Sequence, residues 1–486
     1  MTSLADKFTT DKTGSWITNI PYGDYIRPCA PAGKCVTANI SQSASGKRNS
    51  EIINGEIKSL SASGGGTLVI PEGEYKITTV ELQSNVTLFI SSGAKLVTLS
   101  YDERADLKKN DTPDHIGDGV ILAQNAENIR ITGGGVICGS GISYTDQPKN
   151  EKPLYALKEF NTYKRVIEAR NRIRFGKKDC KRSYLMLIKD CKNVVIEDIV
   201  LNESAFWTLV INGCENVDIN HIVIDNHMHV ANTDGIDILF SKNVNITSCF
   251  IATADDGICL KPVNGEIKDV SVSDCIVSSC ANCFKIGTET AFDITDIRVE
   301  NCQFFMPQNM TYGYSGIAVE SADGSNVSGV EINNITMDGI SSPILIWLGK
   351  RLRHGNSKIG SVKNIKISNV TAVNTELPSA ITGCRTDEKI YPVEGVVLEN
   401  ISAVYRDTNE ALDINYDVPE WSLGDYPDIV RVSHIYKESH ETSDYWDLPC
   451  YGIFIRYAKN IDTSGYSCIP RSCNERSFEY VKKSFN

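Results

Sequence analysis

A short phrase recurs along this chain, and it limits the possible folds more than any other feature. It reads KNVVIEDIVL from Lys192, ENVDINHIVI from Glu215, KNVNITSCFI from Lys242, KDVSVSDCIV from Lys268 and TDIRVENCQF from Thr295. It continues as SGVEINNITM from Ser328, KNIKISNVTA from Lys363 and EGVVLENISA from Glu394. The anchoring residues Val194, Val217, Val244, Val270, Ile297, Val330, Ile365 and Val396 are spaced by 23 to 35 residues. Weaker copies surround Val86, Ile129 and Ile461. Apolar residues alternate within each phrase, which is the period of a strand. Val and Ile dominate, and helix formers are scarce. A repeat of this length without helical filler predicts an all-β parallel β-helix, a solenoid of about ten coils.

Two columns follow from stacking the coils. Four residues after the anchor stand Asp198, His221, Ser248, Asp274, Asn301, Asn334, Asn369 and Asn400, a polar series suited to a turn. One residue further stand Ile199, Ile222, Cys249, Cys275, Cys302, Ile335, Val370 and Ile401, which should point inward. Most of the 16 cysteines are therefore expected to be reduced core residues. The one CxxC, Cys280 and Cys283, has no second pair or histidine beside it, so no metal or redox role is assigned.

A solenoid needs its ends covered. Ile52, Ile53, Ile57 and Leu60 recur at helical spacing and predict a capping helix over 50–60. The expected organisation is an N-terminal extension over 1–49, a β-helix over 50–470 with an insertion at 139–182, and a tail over 471–486. The length of 486 residues would suit two or three ordinary domains, but no linker divides the repeats. No apolar run is long enough to span a bilayer, so no membrane partner is expected. A net charge of −12 argues against nucleic acid. The first residues lack a signal-peptide core, which predicts a cytoplasmic protein or one whose secretion signal has been removed. Nothing in the sequence indicates the oligomeric state.

Each coil carries a second strand. Asp234-Gly235-Ile236-Asp237-Ile238 is followed 22 residues later by Asp256-Gly257-Ile258-Cys259-Leu260, then by Asn282-Cys283-Phe284-Lys285-Ile286 and Ser315-Gly316-Ile317-Ala318-Val319. Asp234 and Asp256 should stack, with Asp255 beside them. Crowded carboxylates repel, which raises at least one pKa and makes a proton donor available. A lone Asp-Gly usually marks a turn, but two stacked copies plus Asp255 mark a site. A calcium site is the competing reading of the same cluster.

At these residues the chain resembles glycoside hydrolase family 28, the polygalacturonase-like enzymes. The matching pieces are Asn232-Thr233-Asp234-Gly235, Asp255-Asp256-Gly257 and Ile286-Gly287, and the likeness runs over roughly 50–460. The resemblance implies a right-handed parallel β-helix and an inverting hydrolase with no cofactor. It makes Asp255 the general acid, while Asp234 and Asp256 activate water. Inversion usually sets acid and base about 6.5–9.5 Å apart to admit that water. The family's Gly-His-Gly falls on Ala281-Asn282-Cys283, so Asn282 replaces a histidine; its Arg-Ile-Lys falls on Ala318-Val319-Glu320. A uronate in that subsite would meet Glu320, a like charge.

Replacement contacts are expected from Lys261, Lys285, Asn232, Arg351 and His229, with Arg353, His354 and His227 as further candidates. The stretch 149–182 holds twelve Lys or Arg against four Asp or Glu and reads as a basic arm beside the cleft. Alternation sends Trp207 inward and Phe206 outward, toward a sugar. The expected function is end-wise hydrolysis of pectin-type or related plant oligosaccharides. Two alternatives remain: a lyase with carboxylate-bound calcium and Lys285 as base, and a non-catalytic carbohydrate-binding solenoid.

Overall fold

A computed structural model describes residues 7–8, 20–27, 29–103, 119–145, 182–228, 230–307, 313–405, 448 and 450–470, together with the backbone of 477–482. The eight anchors form one ladder, from Val194 over Val217 to Val396, and Ile461 closes it. The coils are a parallel β-helix. Among the described residues its strands gather into a 21-stranded sheet and a 12-stranded sheet, with a two-stranded hairpin beside them. The inward column is buried throughout, with Cys249, Cys275 and Cys302 at 1%, 0% and 1% exposure. All fourteen described cysteines carry free thiols. Cys180 and Cys473 lie outside the described residues.

The polar column holds the turns. Its eight residues have φ between 49° and 57°, the left-handed region that Asn and Asp tolerate best. A second such column stands just before the anchors. Asn193, Asn216 and Asn243 sit there at φ 53°, 61° and 53°, and their side-chain amides donate from coil to coil at 2.7–3.0 Å. Asparagine stacks because each amide both donates and accepts.

The capping helix spans Gly46–Ala62. Ser45 caps it by accepting from the Arg48 amide, and Ile53, Ile57 and Leu60 bury against the first coils, while Ile52 is half-buried. The helix thus starts before residue 50, and the extension joins the solenoid. Strand Cys35–Thr37 pairs with Thr67–Val69. Tyr22 Oη donates to Asp225 Oδ2 at 2.5 Å, the Arg27 amide donates to Asp198 Oδ1, and Phe8 packs on Phe250 and Phe305. At the other end, Ser477–Lys482 pairs with Cys450–Arg456, so the tail also supplies a strand. Both boundaries were unreadable because three- and six-residue strands carry too few alternations. Residues 146–181 of the insertion lie outside the described residues. Among the described residues no helix is long and apolar enough to cross a membrane.

Candidate active site

The 12-stranded sheet stacks Val210, Asp237, Cys259, Lys285, Ala318 and Leu345 in one register on its outer face. Ile236, Ile258, Phe284 and Ile317 point inward and are buried. Two positions before those inward residues come Asp234, Asp256 and Asn282, one above another. The glycines after the aspartates let the coils close up. A Cβ on Gly235 would lie 2.4 Å from the Gly257 carbonyl oxygen, and one on Gly257 would lie 2.6 Å from that of Cys283. The Gly235 amide instead donates to the Asp256 carbonyl at 2.9 Å.

Asp234, Asp255 and Asp256 are each under 10% exposed, and one oxygen of each lies within 4.8 Å of the others. This is closer than the separation expected for inversion. Asp256 has both oxygens held: Oδ1 accepts from Asn282 Nδ2 at 2.7 Å and from the Asn282 amide, and Oδ2 faces Lys285 Nζ at 3.2 Å. Asn282 is thus a fixed amide donor to Asp256. The Asp255 backbone is tied down by Ser279 Oγ at 2.6 Å, and Asp255 Oδ1 accepts from the Asp256 amide. Asp234 Oδ2 accepts from Lys261 Nζ at 2.8 Å, while Oδ1 is buried with no hydrogen-bond partner among the described residues. Burial raises the Asp234 pKa well above the carboxylate range; Lys261 pulls it down, and Asp237, Asp255 and Asp256 add to the rise.

The two lysines do not present themselves to a ligand. Lys261 and Lys285 are 3% and 6% exposed. Lys261 spans Asp234 and Asp237, and Lys285 spans Asp256 and Glu320. Burial lowers both pKa values, but the facing carboxylates outweigh it and hold both groups charged. Glu320 is wholly buried with Lys285 Nζ at 3.9 Å, so it is not exposed to meet a ligand. The Arg351 guanidinium, 1% exposed, forks onto Asp323 and also reaches Glu289. Asn232, at φ 59°, accepts from Arg182 Nη2 at 3.0 Å, so the end of the basic insertion docks on this loop. His229 lies outside the described residues; His227 is half-buried, His354 is exposed, and the Arg353 amide donates to Asp323 Oδ1.

Trp207 does not take the inward place expected for it, and Phe206 stacks on it, with the Arg182 guanidinium over its ring. Phe206 is buried, whereas Trp207 stands on the cleft face, stacked on Tyr184 with Lys261 Nζ 3.8 Å from its ring centre. Alternation misled here because the strand begins only at Leu209. Three acidic residues were missed. Asp237 follows Asp234 in the same motif and is wholly buried. Glu289 and Asp323 lie on loops beside Arg351, and the cations around each hold its pKa down against burial.

The sequence and fold match known proteins at this point. A model of glycosyl hydrolases family 28 matches residues 61–416. A polygalacturonase of Gossypium barbadense is 26% identical over 328 residues, covering 65% of this chain and 70% of that protein. An exopolygalacturonase of Zea mays is 24% identical over 396 residues, covering 78% and 85%. The crystal structure of an exopolygalacturonase from Thermotoga maritima superposes with a TM-score of 0.59 at 20% identity, covering 79% of this chain and 90% of that one. A polygalacturonase from Erwinia carotovora gives 0.56 at 20% identity, covering 79% and 98%. The shared architecture is the right-handed parallel β-helix.

Proposed function

The chain belongs to glycosyl hydrolases family 28, and on that premise we propose that it hydrolyses pectin-type oligosaccharides end-wise with inversion, through Asp234, Asp255 and Asp256. The observation that carries the reading is the convergence of these three carboxyl groups within 4.8 Å, each held differently. Asp255 gives its proton to the glycosidic oxygen as the bond to the anomeric carbon breaks. Water held by Asp234 and Asp256 attacks the opposite face and loses a proton to a carboxylate. Two oxygens within 4.8 Å of each other can bond one water between them at ordinary hydrogen-bond lengths. Asp234 Oδ1, buried and without a hydrogen-bond partner among the described residues, is the acceptor left over for that water. Lys261 and Lys285 already lie against Asp234 and Asp256, which favours hydrolysis over a calcium-assisted lyase. End-wise action is supported by the exopolygalacturonases among the relatives.

The raised pKa of Asp234 also fits the reverse assignment, with Asp234 as acid. An activated aryl leaving group separates the two readings, because it needs no proton. Asp255→Asn is expected to lose about 10²–10⁴-fold on a natural glycoside and to recover on the aryl glycoside, whereas Asp234→Asn and Asp256→Asn stay inactive on both. Rescue of Asp234→Asn alone would exchange the roles. Proton NMR of the first product should show the inverted anomer. A retained anomer would replace water attack by a covalent intermediate, to which the short carboxylate separation is also suited.

A further inference from the structure

Asp237 has no part in the chemistry above, yet it stands against it. It is wholly buried on the outer face of the cleft sheet, three residues after Asp234. Its Oδ1 accepts from Lys261 Nζ at 2.5 Å, and the same ammonium donates to Asp234 Oδ2 at 2.8 Å. Lys261 alone would neutralise Asp234 as a one-to-one pair. A second buried carboxylate is not needed for that balance, and burying it costs free energy. Its geometry gives it another use. With Asp237 on one side and the Trp207 ring 3.8 Å away, the ammonium is held at one point of the sheet and reaches one Asp234 oxygen.

We infer that Asp237 is a positioning residue for the hydrolysis: it shares the Lys261 ammonium with Asp234, fixes Asp234 through Oδ2 and leaves the buried, unpaired Oδ1 as the acceptor for the attacking water, without touching substrate. This rests on the reading of Asp234 as a water-activating group. The charged and titratable groups around Asp237 are Lys261, Asp234, Asp256 and Glu289, with Tyr184 and Cys259 close by. Asp237 raises the pKa of Asp234 by repulsion. Removing its charge leaves Lys261 wholly to Asp234, which then becomes a weaker base.

The test uses the full-length protein and partially methyl-esterified homogalacturonan oligosaccharides. Asp237→Asn is expected to lower kcat about 10- to 100-fold, within the range of general base effects, with KM changed less than threefold. The acid limb of the kcat profile should move to lower pH, because a weaker base ionises earlier. A purely structural role would lower thermal stability and leave that limb in place. Lys261→Met strands Asp237 in the interior and should destabilise more. The double variant Asp237→Asn with Lys261→Met removes both charges, should fold, and should match the kcat of Lys261→Met, because both groups act through one ammonium. Losses that multiply, a kcat within twofold with an unmoved acid limb, or a rise in KM with kcat kept would each overturn the inference. Full activity in Asp234→Asn would instead show that the reading of Asp234 itself is wrong.

Discussion

Asp225 shows how one residue ties the N-terminal segment to the solenoid and makes that tie sensitive to pH. Burial raises its pKa to about 6, against the downward pull of the Tyr22 hydroxyl bond, and Glu203 adds repulsion. Desolvation therefore outweighs the hydrogen bond. The folded pKa stands above the unfolded one, so the fold favours the protonated carboxyl. Its stabilising contribution is complete below the ordinary carboxylate pKa near 3.8 and is lost as pH rises through about 6. Asn keeps an oxygen for Tyr22 and does not titrate. Asp225→Asn should therefore gain stability relative to the parent between pH 4 and pH 8, by up to about 3 kcal/mol at roughly 1.4 kcal/mol per pKa unit. Thermal unfolding of both proteins at the two pH values measures this; a gap that shrinks with pH would sink the idea.

The turn ladders set the register of the strands around them. Asn216 sits at φ 61°, donates to Asn193 and accepts from Asn243. Ala at that place loses both side-chain bonds and puts a Cβ into the left-handed region, for about 1–2 kcal/mol of strain. Glycine loses only the bonds. Asn216→Ala should thus cost about 2 kcal/mol and Asn216→Gly about half that, read by denaturant unfolding. Equal losses would mean that conformation is irrelevant there. The anchor ladder and the inward Cys249, Cys275 and Cys302 were legible in the sequence, because a two-residue period reports which face a side chain takes. The column containing Asn216 lies in the same phrases and is not legible as a ladder, since a turn asparagine looks the same whether or not it stacks. Period reports faces but not partners. It placed Lys261 and Lys285 on the cleft face and could not reveal that Asp237 and Glu320 already engage them. It also failed at Trp207, which stands before its strand begins.

Charge is the property of the whole molecule that bears on substrate. The chain carries −12 overall. The described cleft gathers Asp234, Asp237, Asp255, Asp256, Glu289 and Glu320 around Lys261 and Lys285, while Arg351 is forked onto Asp323. Ala318, where the sequence resemblance sets the family's arginine, is wholly buried beside Leu345 and Trp347, so an arginine there would need the cluster to repack. Two unit charges about 6 Å apart at an effective dielectric near 20 repel by about 2.8 kcal/mol, which is about a hundredfold in rate. A galacturonate carboxylate beside the scissile bond meets this repulsion and its methyl ester does not. Methyl-esterified trigalacturonate should therefore be cleaved with a kcat/KM about a hundredfold above that of the free acid. Raising salt from about 20 to 200 mM should narrow the gap, since the screening length falls below 10 Å, and should act mainly on the free acid. Initial rates on the two trimers at both salt concentrations decide it. A free acid cleaved as fast as the ester would mean that the cluster's own cations offset its carboxylates and that no net field opposes the uronate.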